Sequence, residues 1–282
     1  MIGIARFVWS HPICKKGRLR AFARVAHWQV RSRLRKDVVV PWIGGQRLVV
    51  RRGMTGATGN IYAGLHEFAD MALVLHLLRP DDLFFDIGAN IGSYTVLASG
   101  VCKARTWAFE PDPETAAHLG RNIALNALEQ RVILHQMALG ASEAKIPFTI
   151  GQDTVNKVAM PMSPDVRIVR QVPLDSLAGE NVPFMIKMDV EGYEPEVIKG
   201  ASRVIRDSRL KVIESETVTA EMEHVLTQNG FKQMQYDPFS RRLTPSDSVG
   251  TAASNILFIR DDDFIRNKLV SANKVTVFNV SF

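Results

Sequence analysis

Three short runs of this 282-residue chain carry side chains that can do chemistry. The first is Asp86-Ile87-Gly88-Ala89-Asn90-Ile91-Gly92-Ser93-Tyr94-Thr95. An acid ends an apolar run, glycines turn the chain, and a helical pattern follows. Glycine lets backbone approach a ligand closely, and a helix N-terminus offers free N–H groups to its anionic part. The spacing Gly88–Asn90–Gly92 is G-x-N-x-G, which is not the dinucleotide fingerprint, and no Gly-Lys-Ser/Thr follows as in a phosphate loop. An acid on the strand itself favours a ligand bearing an ammonium or hydroxyl group. A tight turn with no ligand is the alternative.

The second is Glu110, 24 residues after Asp86 and followed by Pro111 and Asp112. An acid at the end of the second strand of such a sheet accepts hydrogen bonds from ribose hydroxyls. A plain surface acid is the alternative. The third is Lys187, Asp189 and Glu191, alternating so that they share one face of a strand and its exit. Three charges on an otherwise apolar strand are costly unless they pair or serve a site, so a structural ion-pair cluster competes with a functional one. Glu214 and Glu216 stand second in rank, and His66 competes as a base.

The elements that position these runs alternate. Two β-rich runs over 37–52 flank Gly44–Gly45 and predict a hairpin, and 53–64 reads as a loop. Apolar strands are expected at 83–87, 105–109, 131–139, 184–190 and 210–214, with helices over 65–78, 93–101, 113–128, 194–206 and 220–229. Segments 231–236 and 255–260 read as a closing hairpin. Strands alternating with helices predict an α/β fold with a doubly wound, mostly parallel sheet and ligands at its carboxyl edge. The stretch 140–183 is too long for an ordinary connection and reads as an insert covering the acceptor side. The organisation expected is an arm at 1–36, a hairpin and loop at 37–64, a main domain at 65–262 and a tail at 263–282.

The run Asp86–Thr95, then Ala108-Phe109-Glu110-Pro111, then Ile186-Lys187-Met188-Asp189-Val190-Glu191-Gly192-Tyr193-Glu194 resembles the FkbM-type S-adenosylmethionine-dependent methyltransferases. The resemblance extends over about residues 55–260. It implies a Rossmann-like class I sheet of seven strands, the last antiparallel, and S-adenosylmethionine as cofactor. By the same resemblance Asp86, Gly88, Ala89, Asn90, Gly92 and Ser93 hold the cofactor's methionyl part. Glu110 with Pro111 holds its ribose, and Gln136 to Ala138 lies by the adenine. Tyr62 and Glu67 close over it from outside. The reaction implied is O-methylation of a saccharide or other small-molecule hydroxyl. Asp189 is the expected general base and also borders the cofactor. Glu191 orients the acceptor or binds the cofactor's ammonium, and Lys187 neutralises the acids. Asp189 and Glu191 suit Mg²⁺, but no third ligand has matching spacing, so no metal is expected. The rival readings are a nucleotide-sugar or nicotinamide oxidoreductase and a non-catalytic methyltransferase-like binder. Against the first stand the broken fingerprint and the lack of a Tyr-x-x-x-Lys pair.

Charge separates the arm from the body. Residues 1–36 hold ten Lys or Arg and no acid, leaving 25 basic against 29 acidic residues in the remainder. Leu19, Phe22, Ala26, Val30 and Leu34 recur at 3–4-residue spacing and predict an amphipathic helix. It either packs on the domain or touches an anionic membrane surface. The net acidic body and the missing Asn/Asp-Pro-Pro-aromatic motif argue against nucleic acid. Cys14 and Cys102 exclude a disulfide framework. With no apolar run of spanning length, a cytoplasmic place, peripheral to the membrane, is expected.

Overall fold

The computed structural model describes residues 2–149, 158, 166–246 and 255–282. Helices α1 (Ile2–Ser10), α2 (Pro12–Lys15) and α3 (Arg18–Leu34) precede the hairpin β1 (Val38–Pro41) and β2 (Arg47–Val50). Then come α4 (Thr55–Ala63), α5 (Phe68–Leu77), β3 (Leu83–Ile87), α6 (Ser93–Val96), β4 (Arg105–Phe109), α7 (Pro113–Leu125) and β5 (Val132–His135). Next comes β6 (Ala138–Leu139), and the insert supplies β7 (Ala144–Thr149) and β8 (Val166–Val172). The second half runs α8 (Leu174–Ala178), β9 (Met185–Met188), α9 (Glu194–Lys199), α10 (Ser202–Arg206), β10 (Val212–Ser215) and α11 (Ala220–Gln228). It closes with β11 (Lys232–Asp237), β12 (Arg242–Pro245), β13 (Ile256–Ile259), α12 (Asp262–Val270), β14 (Thr276–Val277) and β15 (Val280–Ser281).

The main sheet has the order β12-β11-β13-β10-β9-β3-β4-β5. Strands β5, β4, β3, β9 and β10 are parallel, and β13 runs antiparallel between β10 and β11. This is the doubly wound class I arrangement with its late antiparallel strand. Every residue of β3, β9, β10 and β13 is buried, as strands covered on both faces require. The sheet has eight strands rather than seven, because β12 pairs antiparallel with β11 at the edge. Asp237 turns that hairpin by accepting from the Phe239 N–H and the Ser240 hydroxyl.

Several expectations change in detail. Residues 55–63 are helical, not loop. Small residues are needed there: a Cβ on Gly59 would lie 1.9 Å from His66 Nδ1. Segment 194–206 is two short helices, broken where a Cβ on Gly200 would lie 2.0 Å from the Gly140 carbonyl oxygen. Segment 131–139 divides into β5 and β6, which belong to different sheets. The expected tail is structural, since Ile265, Leu269, Val277, Val280 and Phe282 pack in the core with α5. The insert's β7 and β8 form a small sheet with β6, while Val172, Leu174, Ala178 and Val182 return to the main core. The remainder of the expected cover, 150–157 and 159–165, lies outside the described residues. Helix α3 forms as expected and buries the face of Ala21, Trp28 and Ser32; of the apolar stripe only Phe22 packs partly on the core. No described helix is long and apolar enough to cross a membrane.

Candidate active site

The carboxyl ends of β3, β4 and β9 converge on a cavity of about 270 Å³, walled on one side by α4. The turn after β3 is shaped by backbone sterics. Gly88 (φ 78°), Asn90 (φ 50°) and Gly92 (φ 89°) all adopt the left-handed region that favours glycine. A Cβ on Gly88 would lie 1.9 Å from the Asp189 carbonyl oxygen, so glycine there lets the exits of β3 and β9 touch. The N–H groups of Gly88 and Ala89 both donate to the Phe109 carbonyl, which ties this turn to β4.

Glu110 completes that tie. Its two carboxylate oxygens accept from the N–H of Asn90 at 3.0 Å and of Asp112 at 2.9 Å. The group is buried, and desolvation pushes it up to about 7 against those two hydrogen bonds. Each oxygen keeps acceptor capacity for a ligand hydroxyl.

Below the cavity lies a buried charge ladder. Lys187 on β9 is in register with Asp86 on β3 and with Glu214 on β10, so the three side chains share one face. All three are at most 2% exposed. Burial disfavours the Lys187 ammonium, but Asp189, Glu67, Glu214 and Asp86 outweigh it and hold the lysine charged. Its Nζ donates to Asp189 Oδ2 at 2.9 Å and sits 4.5 Å from the Tyr94 ring centroid. Asp86 accepts from the Thr95 hydroxyl at 2.6 Å, and desolvation raises it. Desolvation also raises Glu214 well above its ordinary range; Asn255 donates to it and to Asp70. Asp70 is pushed up to about 7 by desolvation and then by Glu67.

At the mouth, Asp189 meets Glu191 and Glu216. Burial opposes the Asp189 charge, but the Lys187 ammonium overrides it and holds the carboxyl below its ordinary value. Glu216 goes the other way, to about 8, through burial and then the charges of Asp189 and Glu191. One carboxyl of the pair is therefore ionised at neutral pH while its neighbour keeps its proton. Glu191 stands at φ 55° just before Gly192 at φ 91°, a tight exit turn. Glu194 secures this turn, accepting from the Val190 N–H at 3.2 Å and the Thr217 hydroxyl at 2.5 Å.

Of the residues named from the sequence, Glu67, Asp86, Gly88, Ala89, Asn90, Ser93, Glu110, Pro111, Ala138, Lys187, Asp189 and Glu191 line this one cavity. Gly92 does not line it; a Cβ there would strike Leu119, so it seats α7 against the turn. Gln136 is exposed and does not line the cavity; the chain bends at Met137 between β5 and β6, and Met137, Ala138 and Leu139 line it instead. Tyr62 also faces elsewhere: its carbonyl accepts from Arg24 and its hydroxyl from Gln29, both on α3. His66 lines the cavity with a buried, unpartnered Nδ1, and desolvation lowers its affinity for a proton. Met137 lines it within the expected stretch 136–138, and Asn60 and Phe148 line it without having been named as site residues. Asn60 is legible only afterwards, as the buried amide joining the Ser93 hydroxyl to the His66 N–H. The carboxylates of Asp189, Glu191 and Glu216 come within 4.8 Å of one another, so the third acid that spacing did not supply comes from β10.

The family model of the methyltransferase FkbM domain matches residues 86–237, which begin at Asp86 and take in Glu110, Asp189 and Glu216. The chain belongs to the FkbM methyltransferase family. The hexuronic acid methyltransferase AglP of Haloferax volcanii is 30% identical over 145 residues, 50% of this chain and 59% of that one. The chain thus spans under two thirds of that relative's length. Among solved structures, methyltransferase FkbM from Methylobacillus flagellatus KT has a TM-score of 0.45 at 18% identity, covering 72% of this chain and 52% of its own. TYW2 of M. jannaschii, in complex with AdoMet, has a TM-score of 0.40 at 14% identity, covering 80% and 87%. The FkbM match includes both signature turns and leaves the basic arm outside.

Proposed function

We propose that this FkbM-family chain is an S-adenosylmethionine-dependent O-methyltransferase acting on a hydroxyl of a saccharide. The observation that carries this reading is the meeting of Glu110 and Asp189 in one cavity, at the ends of β4 and β9. S-adenosylmethionine, when bound, supplies an electrophilic methyl group on a sulfonium. The residues fit such a ligand: a buried carboxyl with free acceptor capacity suits a ribose diol, and the Gly88 turn admits backbone-close approach. Asp189 accepts the acceptor hydroxyl's proton as the new C–O bond forms. Glu216 holds that carboxylate by a hydrogen bond, and Lys187 keeps it ionised. The name of the AglP relative favours a uronic acid unit as the acceptor.

Calorimetry tests the cofactor half directly. The protein should bind S-adenosylmethionine and its demethylated product, and not NAD; NAD binding without either S-adenosyl ligand would end this reading. Two hydrogen bonds to a carboxylate are worth about 1.5–3 kcal/mol, so Glu110→Ala should weaken cofactor binding roughly 10- to 100-fold. An ionised carboxylate accepts more strongly than its acid. Wild-type affinity should therefore rise as pH passes through about 7, where Glu110 loses its proton. Glu110→Gln, which keeps one acceptor but cannot ionise, should flatten that dependence. An unchanged affinity in both folded variants would place the ribose elsewhere.

A further inference from the structure

Of the apolar stripe of α3, Phe22 is half-buried against the core, while Leu19, Ala26, Val30 and Leu34 point outward. Arg24 fixes the helix's roll, its guanidinium donating twice to the Tyr62 carbonyl, at 2.8 and 2.6 Å, with Trp28 buried beside it. The opposite line carries Leu19, Ala23, Ala26, Val30 and Leu34, all exposed. Leu19 is 87%, Val30 59% and Leu34 78% exposed. At 1.5 Å per residue this line runs about 22 Å. At 100° per residue, Arg33 borders it on one side and Arg20 and His27 on the other. Lys15, Lys16, Arg35 and Lys36 are exposed at its two ends. Trp9, 60% exposed, lies near the start of α3, with the Arg18 guanidinium 4.1 Å from its ring centroid.

We infer that this face of α3 docks on an anionic lipid surface. Charge selects the occupant. A second copy of the arm would set cation against cation, because residues 1–36 contain no acid. A bilayer with acidic headgroups supplies the apolar layer for the stripe and the counter-charge for its borders in one surface. The net acidic body is repelled by the same surface, so the arm alone faces it and the protein binds in one orientation. Helix α4 lies directly behind α3 and gives Met54-side residues Ala57 and Asn60 to the cavity wall, so the cavity stands about one helix layer from the docking face.

Sedimentation of the full chain with vesicles tests this. It should bind phosphatidylcholine vesicles carrying about 30% phosphatidylglycerol, and not pure phosphatidylcholine, with affinity falling at least 10-fold as salt rises. The triple variant Leu19→Gln, Val30→Gln, Leu34→Gln changes only exposed positions and should keep the wild-type melting temperature while losing more than 10-fold in binding. Arg20→Ser with Arg33→Ser should lose about as much on acidic vesicles. Equal binding to neutral and acidic vesicles, or full binding by the triple variant, would overturn the assignment. So would absent vesicle binding, including the case where the wild type self-associates in sedimentation equilibrium and the triple variant does not.

Discussion

Asp189→Asn should lower turnover by about 10²–10⁴, the range for loss of a general base, while cofactor affinity changes little. The substitution keeps the size of the side chain and an oxygen for Lys187 to donate to, but removes the site that takes the proton. The neighbouring acid sharpens the test. Glu216 retains its proton up to about pH 8, so at neutral pH it acts as a hydrogen-bond donor. Glutamine is also a neutral donor, so Glu216→Gln should keep most of the turnover at pH 7. Wild-type rates should change as pH rises through about 8, and that inflection should vanish in Glu216→Gln. Methyl transfer to a panel of uronic-acid glycans, followed across pH 6–10 for all three proteins, gives these numbers. Near-normal turnover by Asp189→Asn at saturating acceptor would move the base to Glu191 or Glu216. Lost cofactor affinity with normal turnover would instead assign Asp189 to the cofactor.

How far such residues can be read in advance depends on the range of the forces that place them. The turn at Asp86–Gly92 was legible because left-handed backbone demands glycine locally, and the strands because burial on both faces demands unbroken apolar runs. Lys187 was legible as a neutraliser, since a lone buried ammonium is too costly. Glu214 opposite it, and Glu216 beside Asp189, depend on β9–β10 register, which no local pattern encodes. Helix α4 was hidden because Gly59 serves close packing against His66 rather than a turn. The roll of α3 was left open for a related reason. Periodicity finds an apolar stripe but not what covers it, and the buried Trp28 with the Arg24 contacts turns most of that stripe outward. Gln136 stays exposed because the chain bends just after it, between β5 and β6, a turn that no apolar pattern marks.

The charge ladder under the cavity yields the largest expected loss of stability. Lys187→Met keeps the volume and removes the cation that faces Asp86, Glu214 and Asp189. Removing one member of a buried ion pair costs about 3–5 kcal/mol, because the remaining charge is left uncompensated. For a chain of this size that is a fall in melting temperature on the order of 10 °C. The loss should depend on pH, with a definite sign. Without the ammonium, the folded-state affinities of Asp86 and Glu214 for protons rise further above their unfolded values, and that of Asp189 loses the charge that holds it below its own. A carboxyl raised in the folded state costs nothing while it is protonated in both states, and costs stability as pH climbs above its unfolded value. The gap between wild type and variant should therefore be small near pH 4 and widen toward pH 8. Glu214→Gln in the Lys187→Met background removes one of the stranded acids and should restore part of the melting temperature at pH 8. At pH 4 the same second change should do little. A gap that stays constant with pH, or a double variant no more stable than the single one, would mean that Lys187 holds the fold by its packing on Tyr94 and not by its charge.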